Sequence, residues 1–347
     1  MNFKLPVIAV AAGTLAVTLA NPALALQINI NAGSGLSGNA AALAAFQRAA
    51  DSWEAIFSDN VTIEINADLT NIGASNVIGS ANSTVLAKGY TDVRTNLVND
   101  AANEASNGIV AFLPTSGQFS AVVPPGGFST GGLILATKAN LKALGYNAAM
   151  LDADAGTAVD ATITFNSNFS FDFDNSDGVS MGTKDFETVA AHELGHALGF
   201  ISIVDYIESV IGQPQVVPPT TLDLFRFNNA SDPTDIASFT TAVRELRPGQ
   251  AAVFDDLTNE YAFSTGETGD GNQASHWKAD ELTGTTIGLM DPTLANGVVT
   301  LISAADIRAL DLIGWDLAVT TVPEPASLLG LVFGLGALGI ASRRRGR

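Results

Sequence analysis

The apolar residues change period along the chain. Leu43, Phe46, Ala50, Trp53 and Phe57 recur at helical spacing, with Gln47, Arg48, Asp51 and Glu54 between them, which predicts a helix with one buried face. Val61, Ile63 and Ile65 then alternate with Thr62, Glu64 and Asn66, the signature of a half-buried strand. Val93, Leu97, Val98 and Ala101 predict a second helix over residues 90–105, and short strands are expected at residues 109–113 and 133–137. Ile163 and Phe165 read as a strand, with Phe169, Phe171 and Phe173 as another or its continuation. The stretch 163–173 is expected to be the edge of a sheet, open to an added peptide strand. A turn from Gly178 to Gly182 leads into a helix over residues 185–200. Beyond it the pattern is mixed and loop-rich as far as Ser303-Ala304-Ala305-Asp306, a helix start. Ile307, Leu310 and Ile313 give this last helix an apolar side, and Gly314 can end it.

Strands and helices mixed in this order predict an α+β fold. An N-terminal lobe of sheet and helices spans residues 26–200, a loop-rich C-terminal lobe spans 201–320, and a cleft separates them.

The two ends are modules of their own. Lys4, an apolar run from Leu5 to Ala20, and Ala23-Leu24-Ala25 have the order of a secretory signal with its cleavage site, so residues 1–25 are set aside from the fold. At the other end, Val322-Pro323-Glu324-Pro325 precedes an apolar run over residues 326–341 and then Arg343, Arg344, Arg345 and Arg347. That run falls short of the ~20 residues a comfortable transmembrane helix needs. Pro323, Glu324, Pro325, the apolar run and the arginines together resemble the PEP-CTERM sorting tail of bacterial surface proteins. The resemblance implies recognition by an exosortase, transient membrane association through residues 322–347, and a location beyond the cytoplasmic membrane.

Charge narrows the partners further. The chain carries 16 Lys and Arg against 35 Asp and Glu, a net charge of −19, and the body without the arginine tail is more acidic still. Nucleic acid and anionic membranes are disfavoured as partners. Cysteine is absent, which leaves an exported protein to depend on its core and removes any scheme in which a cysteine masks a metal.

One segment carries chemistry. In Ala191-His192-Glu193-Leu194-Gly195-His196-Ala197-Leu198-Gly199-Phe200, two histidines four apart on a helix project from one face and can reach one metal ion. Zinc takes neutral imidazole nitrogens, and a catalytic site keeps a position open for water. Glu193 stands beside the first ligand, where its carboxylate can take a proton from that water as it attacks a carbonyl. A third ligand is needed, and the chain has three histidines in all. His276, in Gln273-Ala274-Ser275-His276-Trp277-Lys278, is the leading candidate, and Asp205 and Glu208 are its competitors.

His192, Glu193, His196 and Gly199 match the metzincin pattern H-E-x-x-H-x-x-G-x-x-H except at its last position, where Ser202 stands. Leishmanolysin-like metzincins take that third histidine from far downstream, and residues 275–278 resemble the later segment. Gly288-Leu289-Met290-Asp291-Pro292 resembles the methionine turn under the metal, with Met290 in that role, and residues 301–317 resemble the terminal helix. The resemblance implies a zinc metalloendopeptidase acting on protein or peptide substrates, with Glu193 as general base and Gly199 ending the helix. A zinc amidase of cell-wall material and a zinc-binding surface protein without turnover are the alternatives. Asp172, Asp174 and Asp177 with Gly178 suggest calcium, but their spacing fails the EF-hand pattern and favours a solvated acidic turn. Glu267 with Asp270 is weaker still.

Overall fold

The computed structural model describes residues 25–74 and 76–318. Nearly all of the expected signal, and the tail from Val322 onward, lie outside the described residues. The chain enters as β1 (Gln27–Ala32), turns into α1 (Ala40–Glu54) and returns as β2 (Thr62–Thr70). Asn39 caps α1 by accepting from the Ala42 amide at 3.1 Å, a contact that satisfies one of the helix's unpaired first-turn donors. The buried face of α1 is Ala42, Ala45, Phe46, Ala49, Ala50 and Trp53. Truncating a fully buried ring such as Phe46 to alanine would cost about 3–5 kcal/mol.

β2 alternates as its sequence predicts: Ile63, Ile65 and Ala67 are buried. On the other face, Glu64 accepts from Asn29 at 2.7 Å and from Asn31 at 3.2 Å. This parallel pairing explains β1, which sequence reasoning passed over because it follows the signal directly. β3 (Gly79–Ser83) and β6 (Ala161–Asn166) complete the sheet in the order β1-β2-β6-β3, with β3 antiparallel to β6. Between them β4 (Val85–Gly89) and β5 (Leu133–Thr137) form a separate pair, flanking α2 (Tyr90–Asp100).

Three expectations are corrected. The open edge is β3, whereas β6 is paired on both sides; a strand of Gly, Ser, Ala and Asn carries no apolar alternation to reveal it. Of the phenylalanine stretch, Phe171–Asp172 alone forms a strand, paired with Lys184–Asp185. Of residues 109–113, expected as a strand, 109–112 belong to a 3₁₀ segment over Ala105–Phe112 and Leu113 caps its end. Its buried positions, Asn107, Val110 and Leu113, recur every third residue, the period of that helix.

α3 (Phe186–Leu198) packs on α1 and lies beneath β3. α4 (Ile203–Ser209) follows closely, and α5 (Ala304–Leu312) closes the described chain with a Ser303–Asp306 capping box. The region read as loop-rich contributes four short strands, Glu260–Ala262, Ala252–Asp255, Arg226–Asn228 and Arg244–Glu245, to a five-stranded sheet whose fifth strand, Ala121–Val122, comes from the N-terminal span. One buried cluster runs from Leu26 through Phe46, Leu194 and Phe254 to Trp315, so the core is continuous across residue 200. No helix among the described residues is long and apolar enough to cross a membrane.

Candidate metal centre

Asp185 caps α3 by accepting from the Thr188 amide at 2.9 Å. Two buried indoles then fix the helix from outside: Trp53 donates to the Ala191 carbonyl at 2.9 Å and Trp315 to the Leu198 carbonyl at 2.8 Å. Gly199 ends the helix with φ 129°, where a side chain would be strained and would also meet Ile313 at 2.9 Å. Past that turn Ser202, at the position where the metzincin pattern has histidine, caps α4. Its amide donates to Ser275 Oγ at 2.8 Å. The position that lacks a ligand is therefore bonded to the residue preceding His276.

The segment carrying His276 is held by the two carboxylates that competed with it. Asp205 accepts from the Ala274 and Ser275 amides and from Ser275 Oγ, and Glu208 accepts from the Glu267 and Thr268 amides at 2.9 and 2.6 Å. Neither belongs to the group formed by His192, His196 and His276, whose ligand atoms lie close enough together to hold a metal ion. The three Nε2 atoms lie 3.1, 3.1 and 3.2 Å apart.

Each imidazole is oriented by its other nitrogen. Nδ1 faces the Leu289 carbonyl in His192 at 2.8 Å, the Phe200 carbonyl in His196 at 2.8 Å and the Gln273 carbonyl in His276 at 3.1 Å. A carbonyl only accepts, so each Nδ1 carries the proton and each neutral ring presents a bare Nε2 lone pair. Protonating the rings would relieve the crowding, but burial opposes it. Desolvation, then the neighbouring imidazoles, lowers His276 well below its ordinary range and brings His196 to about 3; desolvation lowers His192 as well. Three lone pairs at this spacing fit a shared cation. Ligands about 2.05 Å from a tetrahedral zinc stand about 3.3 Å from one another.

Glu193 is buried, and desolvation pushes its carboxyl up to about 8. It lines a cleft of about 550 Å³ together with the three histidines, residues 76–81, residues 271–273 and residues 291–294. β3 therefore lays its unpaired edge along this cleft, so close that a side chain at Gly79 would meet Glu193 Oε1 at 2.7 Å.

Beneath the histidines lies Met290, fully buried. A Cβ on Gly195 would come within 2.5 Å of its sulfur, so the glycine between His192 and His196 makes room for the methionine. Asp306 anchors this layer. It accepts from the Leu289, Met290 and Ser303 amides and from the Trp277 indole at 2.7–3.2 Å. Sequence reasoning saw Asp306 as a helix-start residue and assigned Gly195 no role. An aspartate three residues after a capping serine was the available signal for the first, and a helical glycine between two histidines for the second.

Residues 321–345 match the family model described as the PEP-CTERM protein-sorting motif. The chain is an exported protein with an envelope-sorting tail. Pro323, Glu324 and Pro325 fall inside the match, and such a motif is recognised by the exosortase machinery. No curated protein and no solved structure matches the chain.

In this envelope protein the suspected calcium loop is occupied by its own backbone. Asp172 accepts from the Asp174 amide at 3.0 Å and the Ser180 amide at 2.7 Å, and Asp174 accepts from the Ser176 amide at 3.2 Å. Those bonds, with the Ser180 and Ser176 side chains first, hold both carboxyls below their ordinary range. Asp270 likewise accepts from Ser264 Oγ and the Thr265 amide. Asp172, Asp174 and Asp270 are thus held by bonds within their own turns.

Proposed function

We propose that the chain is a zinc-dependent metalloendopeptidase of metzincin type, displayed in the cell envelope by its sorting tail, which would associate with the membrane only transiently. The observation that carries this reading is the convergence of three Nε2 lone pairs, each fixed by an Nδ1–H to a backbone carbonyl, beside a buried glutamate in an open cleft. His192, His196 and His276 would hold the ion, which when bound supplies an acidified water and a polarised carbonyl. Glu193 takes the proton from the attacking water and returns it to the leaving amine, with no covalent intermediate on the protein. The edge of β3 binds an extended peptide as an added strand and presents its scissile bond to Glu193.

A purely structural zinc site closes its fourth position with protein, and among the described residues no carboxylate joins the three histidines within metal-ligand reach. The test is Glu193→Ala with zinc content measured alongside turnover on casein. Zinc is expected to stay at wild-type stoichiometry while hydrolysis falls at least ~100-fold, the low end for loss of a general base. Wild-type rates in the zinc-loaded variant would sink the proposal. A wild-type protein that cleaves peptidoglycan amides and not casein would move the reading to an amidase.

A further inference from the structure

The walls of the cleft carry an asymmetric charge. Its lining includes Glu193, Asp205, Glu267 and Asp291 and no lysine or arginine. Asp205 is committed to the His276 segment and Glu193 is the proposed base, which leaves Glu267 and Asp291 to face a ligand, although Asp291 already accepts from the Asp280 amide at 2.9 Å and from the Thr293 amide and hydroxyl at 2.9 and 3.0 Å. On one wall Glu267 is exposed, and among the described residues its side chain enters no hydrogen bond or ion pair. On the other wall Asp291 is backed by Asp280 and Glu281, whose carboxylate oxygens come within 4.8 Å of its own. None of these three is paired with a cation among the described residues. The nearby lysines are engaged elsewhere: Lys184 donates to the Leu294 carbonyl, and Lys278 lies 3.9 Å from Asp270.

Acidic surface alone proves little in a chain of net charge −19. What gives this pair of walls meaning is that they flank three converging imidazoles and Glu193. That carboxyl is 6% exposed, it faces the cleft, and among the described residues it has no hydrogen-bond partner.

We infer that the cleft selects peptides carrying lysine or arginine side chains on either side of the scissile bond, read by Glu267 on one wall and by the Asp280–Glu281–Asp291 group on the other. The inference rests on the cleft being a peptide site. Burial holds the Asp291 carboxyl above its ordinary range, and a positive partner would favour its charged form.

The test uses the zinc-loaded Glu193→Gln chain and three fluorescent peptides that differ at two flanking positions: lysine, glutamine or glutamate. Binding is expected to be about tenfold tighter for the lysine peptide than for the glutamine one, weakest for the glutamate one, and to level out as salt is raised. Adding Glu267→Gln and Glu281→Gln should bring the lysine preference close to one. Adding Asp51→Asn and Asp92→Asn, exposed residues outside the cleft, should leave it in place. Equal binding of the three peptides overturns the inference, as does a preference that the control pair erodes as much as the cleft pair does. The same peptides given to the wild-type chain separate the two claims. Preferential binding without cleavage by wild type removes the peptidase reading and keeps the selectivity; equal kcat/KM on all three keeps the peptidase and removes the selectivity.

Discussion

Three imidazoles meet at the floor of the cleft, and five carboxylates meet around the ends of α2 and α5. The second group is Asp59, Asp100, Glu104, Asp311 and Asp316, with ligand oxygens of Asp100, Glu104 and Asp316 within 4.8 Å of one another. By composition it is the better cation trap, yet it resolves its own crowding. Burial, followed by repulsion from Asp316, pushes Asp59 up to about 8 and Asp100 to about 7. Burial, then Asp311, brings Glu104 to about 7. Protons therefore replace charge, and the rest is met by Asn107, which donates to Asp311 at 2.9 Å, and by Arg308, which does so at 2.9 Å. The histidines have no such escape. Each has already given its one proton to a carbonyl, and burial resists a second. The contrast teaches that proximity of like groups does not define a metal centre; what defines it is whether the surroundings leave the lone pairs any other partner.

The largest effect that would break this contrast is at the third ligand. His276→Ala should abolish stoichiometric zinc, measured by elemental analysis after dialysis, whereas the carboxylate group should hold no zinc in its place. Zinc at full occupancy in that variant would mean the lone-pair argument fails.

A smaller effect is expected one bond further out. Asp205 offers only acceptors to the two amides and the hydroxyl it binds. In Asp205→Asn one oxygen becomes an NH₂ that confronts those donors, which loosens the segment before His276. Zinc affinity should fall about 10–100-fold, the usual loss when a ligand's support is removed, with one ion still bound at saturating metal. Complete loss of zinc in Asp205→Asn with full retention in His276→Ala would reverse the assignment of ligand and support.

How much of this could be read from sequence follows from where the signal was local. His192, Glu193, His196, the ends of α3 and the capping box of α5 are decided by residues within one or two turns, and each was legible. His276 was found by scarcity, since the chain has three histidines, and Met290 by resemblance. β3 was not legible, because its small polar residues take their strand conformation from pairing with β6 across a long separation. The C-terminal sheet escaped for a related reason: its strands are two to four residues long, too short to show a period. Asp205 and Glu208 stand in the sequence as acidic candidates for the third ligand, but their role depends on a segment 59 to 70 residues away.

The smallest effect sharpens the other side of the comparison. If the carboxylate group is relieved by protons, the native state binds a proton at Asp100 that the unfolded chain has released. The folded value is about 7 against an ordinary value of 3.8. Below roughly pH 4 both states hold the proton and it contributes nothing. As the pH rises from there towards 7 the unfolded state ionises while the folded state does not, so wild-type stability falls across that window and is level above it. Asp100→Asn removes the titration. With zinc stripped from both proteins, its melting temperature minus that of wild type should therefore grow from pH 4 to pH 7 and then level off. A rise of a few degrees is expected, since 1 kcal/mol moves the melting temperature by about 2–4 °C at roughly 150–250 residues and by less in a longer chain. A difference that stays flat or shrinks over that range would mean that Asp100 is ionised in the fold. The five carboxylates would then be as crowded by charge as the histidines are by lone pairs, and the distinction between the two clusters would be lost.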